Sequence, residues 1–169
     1  RSQFEFERYG IIAVSSIYGI DLLPDNIEHA RERLYEIFFR RYAGLFKAAA
    51  KTECLDSVRF ILNRNIIVGN ALTLEMIEPE SEQSAETGKV TLESLRNEGK
   101  PIVFSEWSAV NGNFIKRRDF IFEHLVSNLP TDGLFSDLGE QAFIPKPVKE
   151  FPPVHFLKLS TAYDELLQS

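Results

Sequence analysis

The chain has 169 residues, a formal net charge of -6, an apolar share of 44% and a charged share of 26%. These values describe a globular domain with one core and exclude collagen-like, low-complexity and wholly disordered chains. The acidic balance, with a pI near 5.2, speaks against a surface that neutralises nucleic-acid phosphates throughout, and the single cysteine, Cys54, excludes an intramolecular disulfide.

Cysteine usage favours a reducing, cytoplasmic setting. No apolar run approaches the roughly 20 residues that span a bilayer, so no membrane partner is expected. Residues 1–169 read as one domain, and the absence of an initiating methionine suggests a piece of a longer chain.

Residues 3–20 read as one or two strands, because Phe4 and Phe6 alternate with Glu5 and Glu7 ahead of the β-branched stretch Ile11-Ile12-Ala13-Val14. Pro24, then Asp25 with Glu28 three residues on, predicts a helix start of capping-box type. Ile27, Ala30, Leu34, Phe38, Tyr42, Leu45 and Ala49 then recur at spacings of three and four, which carries an amphipathic helix to about Lys51. A second row, Tyr35, Phe39 and Phe46, widens its apolar arc. Those three side chains are therefore candidates for an interface with a second copy or a protein partner.

The alternation of Val58, Phe60 and Leu62 favours a strand over 58–62. A second strand over Ile66–Ile77, kinked at Gly69-Asn70, would pair with it in antiparallel fashion. From Glu75 to Glu86 there are five glutamates and no basic residue. A mobile acidic loop is expected at about 78–88. Thr91–Glu98 reads as a short helix closed by Gly99, and Pro101–Phe104 as a strand. Asn111-Gly112 marks a turn, with Asn113 as N-cap of a helix to Asn128. An irregular loop follows over 131–153, then a strand over Val154–Leu159 and a short helix capped near Ser160 or Thr161.

Candidate chemistry gathers in two places. Glu106 and Trp107 follow the 101–104 strand, where binding groups commonly stand: a carboxylate base and an aromatic platform. Lys116, Arg117 and Arg118 form a positive cluster at the start of the expected 113–128 helix, suited to an anionic partner. His124 lies on the same expected helix beside Ile121 and Leu125, where a half-buried packing role is the plain reading.

The spacing from Arg117 or Arg118 to His124 resembles the Arg-x4-6-His signature of the HEPN metal-independent ribonucleases. In that family, paired helices bring an arginine and a histidine to an RNA 2′-hydroxyl and phosphate. The resemblance covers these few residues and implies an RNA-cleaving enzyme with Arg117 or Arg118 and His124 as catalytic residues. No metal or cofactor is expected, since His29, His124 and His155 lack zinc-ligand spacing and no phosphate-cradling glycine loop is present.

The mixture of elements predicts an α+β fold: a mainly antiparallel sheet with one long amphipathic helix and shorter helices packed on it. The functional expectation is a non-catalytic regulatory or ligand-sensing domain that dimerises through the long helix. A small anionic or aromatic ligand would bind near Glu106, Trp107, Lys116, Arg117 and Arg118. Fourteen Phe, five Tyr and one Trp supply more rings than a core of this size needs, and such rings can line an apolar pocket.

Overall fold

A computed structural model describes residues 2–77, 100–126 and 145–168. The helix expected over 91–98, the acidic loop at 78–88 and most of the 131–153 loop lie outside the described residues. The architecture is α+β, as the pattern of elements predicts. Among the described residues no helix is long and apolar enough to cross a membrane.

The chain begins with a helix, α1 (Gln3–Ser15), and not with the expected strands. Ser2 caps it: its Oγ accepts from the Glu5 amide at 3.2 Å while the Glu5 carboxylate accepts from the Ser2 amide at 3.0 Å. Glu7, Ile11, Val14 and Ser15 are the buried positions, a helical spacing disguised by the acid at its head. A short strand, β1 (Gly19–Asp21), leads to α2 (Pro24–Phe46). Pro24 occupies the first helical turn, where its missing N–H costs nothing. The expected Asp25 cap is not formed: Leu23 stands at the N-cap without a side-chain bond, and Asp21 accepts from the Leu23 amide at 2.8 Å instead.

A 3₁₀ turn (Lys47–Ala49) connects to α3 (Thr52–Asn65). The strand expected over 58–62 is thus a helix, because Cys54, Ser57, Val58, Ile61, Leu62 and Asn65 form one continuous buried stripe. The antiparallel pairing expected for it is absent. Instead β2 (Ile66–Asn70) runs parallel to β1, from Gly19 opposite Ile66 to Asp21 opposite Val68, with α2 and α3 as the crossover. The kink expected at Gly69-Asn70 is a full reversal. Asn70 Oδ1 accepts from the amides of Leu72 and Thr73, and the chain returns as β3 (Glu75–Met76), antiparallel to β2.

The second sheet is built on a hairpin of β4 (Val103–Val110) and β5 (Phe114–Ile121), antiparallel from Val103 opposite Ile121 to Val110 opposite Phe114. Its tip is the predicted Asn111-Gly112 turn, whose φ values of 42° and 75° explain the asparagine and the glycine. The helix expected from Asn113 is therefore a strand. Inward positions of β5 are Ile115, Arg117 and Asp119, so its period of two is written in charges and escapes a hydrophobic pattern. The remaining elements are α4 (Phe122–Val126), β6 (Lys149–Glu150), β7 (Val154–His155), a 3₁₀ turn (Phe156–Lys158) and α5 (Leu159–Gln168). The strand expected over 154–159 shrinks to two residues. Both β6 and β7 pair with β5. Residues 100–102 join the two sheets, since Met76 donates to Lys100, Ile102 to Leu74 and Phe122 to Ile102.

The main core lies between the helices and the inner face of the second sheet. It includes Ile11, Phe38, Tyr42, Ile61, Leu62, Trp107, Phe151, Phe156 and Tyr163. The Phe38 ring of α2 lies against α1 at Gly10, where an added Cβ would stand 2.8 Å from it. A smaller cluster, Ile67, Ile102 and Phe104 with Ile20, Met76 and Phe122 around it, occupies the other side.

Candidate functional site

The β4–β5 hairpin distributes the sequence candidates over two faces, because successive strand residues point in opposite directions. Lys116, Arg117 and Arg118 are consecutive on β5 and not in a helical first turn, so they do not form one positive cluster. Glu106 and Trp107 sit within β4, not beyond a strand end, and likewise part company.

On the inner face, Arg117 and Asp119 form a buried bidentate pair. Arg117 Nε donates to Asp119 Oδ1 at 2.8 Å and Nη2 to Oδ2 at 2.7 Å, while Ser105 Oγ bonds both residues. Arg117 Nη1 is buried and, among the described residues, makes no hydrogen bond. The guanidinium instead lies 4.2 Å from the Phe151 ring centroid, with Tyr163 at 5.6 Å and Trp107 at 5.9 Å, and these π faces offset the missing acceptor. Trp107 donates through Nε1 to Asn65 Oδ1 at 3.2 Å, and Asn65 donates to the Ser15 carbonyl at 3.1 Å. Its indole therefore ties β4 to α3 and α1 and offers no platform to a ligand. Both residues leave the list of ligand-binding candidates for one reason: the inner face is closed by helices.

On the outer face, Glu106 and Arg118 are paired across the strands, Arg118 Nε donating to Glu106 Oε2 at 2.9 Å, with each side chain 37% exposed. The Arg118 guanidinium is pushed above its ordinary value, chiefly by the hydrogen bond to Glu106 and then by the Glu106 charge. Ser108 Oγ donates to the same Glu106 oxygen at 3.4 Å. Lys116, farther along this face, is engaged with Glu150 of β6.

Around the Glu106–Arg118 pair opens a concavity of about 590 Å³, lined by Tyr18, Phe104, Phe120, Phe122, Leu125 and Pro145. Its rings are fixed by contacts of their own. Tyr18 meets Phe104 edge to face at 5.2 Å, and Phe104 meets Phe122 in the same way at 5.2 Å. The Tyr18 hydroxyl donates to the Ser105 carbonyl at 3.0 Å. Burial, reinforced by the Glu106 charge, raises the Tyr18 phenol above its usual value, so it remains a neutral donor. The volume falls within the range of small-molecule sites, about 300–1,000 Å³. Sequence reasoning found Glu106 and Arg118 but missed the four rings. Their signal was the surplus of aromatics, which carries no address until the strands are paired.

A second cleft, about 380 Å³, lies between α2, α3 and β2. Its arginines are engaged by the fold: Arg31 donates to the carbonyls of Ile66 and Asn63 at the end of α3, and Arg59 lies 3.7 Å over the Tyr35 ring. This arrangement closes a helix end.

Two of the three rings expected at an interface are partly covered from within. Phe46 packs against Phe6 and Tyr42, and Tyr35 stacks on Phe39 beneath Arg59. Phe39 remains 42% exposed. The ribonuclease-like spacing loses its helix, since Arg117 and Arg118 stand on the strand β5, the first buried and the second part-exposed, while His124 stands exposed on α4. The half-buried packing role read for His124 is likewise corrected. Cys54 is wholly buried, and burial pushes its thiol up to about 12, which leaves it inert. Among the described residues no three His, Cys, Asp or Glu side chains are grouped to hold a metal ion.

Comparison of the chain with protein-family models, with the curated proteins and with the solved structures finds no match.

Proposed function

We propose that this chain is a non-catalytic ligand-binding domain whose site is the outer face of the β4–β5 hairpin. The observation that carries the reading is the concavity itself: among the described residues, four aromatic rings and one half-exposed ion pair line a hollow of about 590 Å³. Apolar walls supply affinity through area removed from water, and a few polar groups supply orientation. Glu106 accepts hydrogen bonds from Arg118 and Ser108, so it serves as a fixed counter-charge and not as a poised base. A sensing role follows if the ligand is soluble and reversible. Binding at Phe122 and Leu125 would bear directly on α4, the element that follows β5.

The test uses a neutral aromatic probe, 2-naphthol, titrated into the isotopically labelled chain and followed by amide chemical shifts. Saturable shifts confined to Tyr18, residues 104–106 and residues 118–125 are expected. Shifts that are scattered, or that rise linearly without saturation, overturn the reading.

A further inference from the structure

The polar end of this groove is asymmetric, and the asymmetry names a ligand class. A guanidinium carries five N–H donors in a planar fork. Among the described residues Arg118 spends one, its Nε–H, on Glu106, which leaves both Nη groups, the edge that matches a carboxylate in bidentate fashion. Glu106 offers less: one of its oxygens already accepts from both Arg118 and Ser108. The unfilled capacity is therefore mainly for an acceptor.

The surroundings limit how much negative charge that acceptor can carry. Glu106 faces Arg118 across β4, and Glu150 faces it across β6. Glu150 is itself engaged by Lys116, so Glu106 is the carboxylate that opposes an incoming anion, and its charge disfavours a dianion such as a phosphate monoester more than a single negative charge shared with Arg118. The rest of the wall, Tyr18, Phe104, Phe120, Phe122 and Leu125, is apolar and fits a hydrocarbon or aromatic body.

Resting on the reading of this groove as a ligand site, we propose that it takes a small aromatic or aliphatic monocarboxylate, whose carboxylate binds the Nη edge of Arg118 and whose apolar body lies among the rings. Glu106 then acts as an internal competitor: it holds Arg118 in place when the groove is empty and weakens the incoming anion by its charge.

The test is calorimetric titration of the full chain at low salt with 3-phenylpropionate, 3-phenylpropionamide and 3-phenylpropylamine, which share one body and differ in charge. The acid is expected to bind at least tenfold more tightly than the amide, and the amine most weakly. Arg118→Gln should cost the acid tenfold or more and leave the amide unchanged; Arg118→Lys, which keeps charge without the fork, should fall between. Glu106→Gln should tighten the acid several-fold. Thermal unfolding by circular dichroism establishes that each variant is folded, and the Glu106→Gln result stands even if both Arg118 variants fail to fold. Equal binding of acid and amide, or tighter binding of the amine, overturns the monocarboxylate and leaves the groove as a ligand site. If none of the three binds and 2-naphthol does not saturate, both fall together.

Discussion

The two faces of the β4–β5 hairpin hold nearly the same chemistry and use it in opposite ways. Each carries an arginine paired to a carboxylate beside aromatic rings. Arg117 and Asp119, with side chains 3% and 11% exposed, are enclosed by helices and rings, whereas Arg118 and Glu106 face an open groove. Two arginines adjacent in sequence thus become a core fixture and a candidate ligand group. What separates them is enclosure, since a charge in the interior must be matched by its fold while a charge at a groove retains donors for a partner.

The comparison breaks most visibly on the inner face. Arg117→Met strands Asp119 in the core and is expected to cost about 3–5 kcal/mol of stability, read as a shift of the urea midpoint. Replacing both residues together, Arg117→Met with Asp119→Leu, should cost less than Arg117→Met alone, because no charge is left uncompensated. A double variant no more stable than the single one would mean that the cation–ring contacts, and not the ion pair, dominate there.

A third carboxylate sharpens the role of enclosure. Glu7 of α1 is wholly buried and accepts from Tyr42, from Lys51 at 2.9 Å and from Gln3 at 2.7 Å. Burial alone would raise its pKa, but those hydrogen bonds, with the Lys51 charge, outweigh it and hold the carboxyl below the ordinary 4.5. A depressed folded value contributes stability that is present above about pH 4.5 and is lost as pH falls through the lower folded value. Glu7→Gln should cost about 1–3 kcal/mol at neutral pH and flatten the loss of stability in acid, measured by urea unfolding from pH 7 to pH 3. An unchanged acid slope would assign that loss to other carboxylates.

The smallest effect on stability belongs to the outer pair. Arg118→Gln should change unfolding free energy by no more than about 1 kcal/mol, as half-exposed ion pairs contribute little. Among these substitutions it is nevertheless the one expected to abolish discrimination between acid and amide. A large loss of stability would place Arg118 with Arg117 as a structural residue.

Parts of this organisation are legible in the sequence and others are hidden for definite reasons. The apolar rows of α2, the Asn111-Gly112 turn and the strand after Pro101 follow from local periodicity and backbone preference. The start of α1 is legible too, in Ser2 and Glu5, but the alternation of Phe4 and Phe6 masks it and the buried Glu7 breaks the apolar stripe. β5 is hidden because Arg117 and Asp119 occupy inward positions, so a strand reads as a charged helix. Glu106 and Arg118 are visible as polar candidates. Their partnership is not, because it depends on a cross-strand register twelve residues apart.

The sequence by itself determined the α+β class, the long helix, the hairpin turn and an excess of aromatic rings, since each is encoded in spacing along a few turns or a few residues. The tertiary structure decided which arginine faces a core and which a groove, and it gathered Tyr18, Phe104, Phe120 and Phe122 into one wall. Strand alternation assigns each residue a side, but only the packing of the helices determines which side is closed to water.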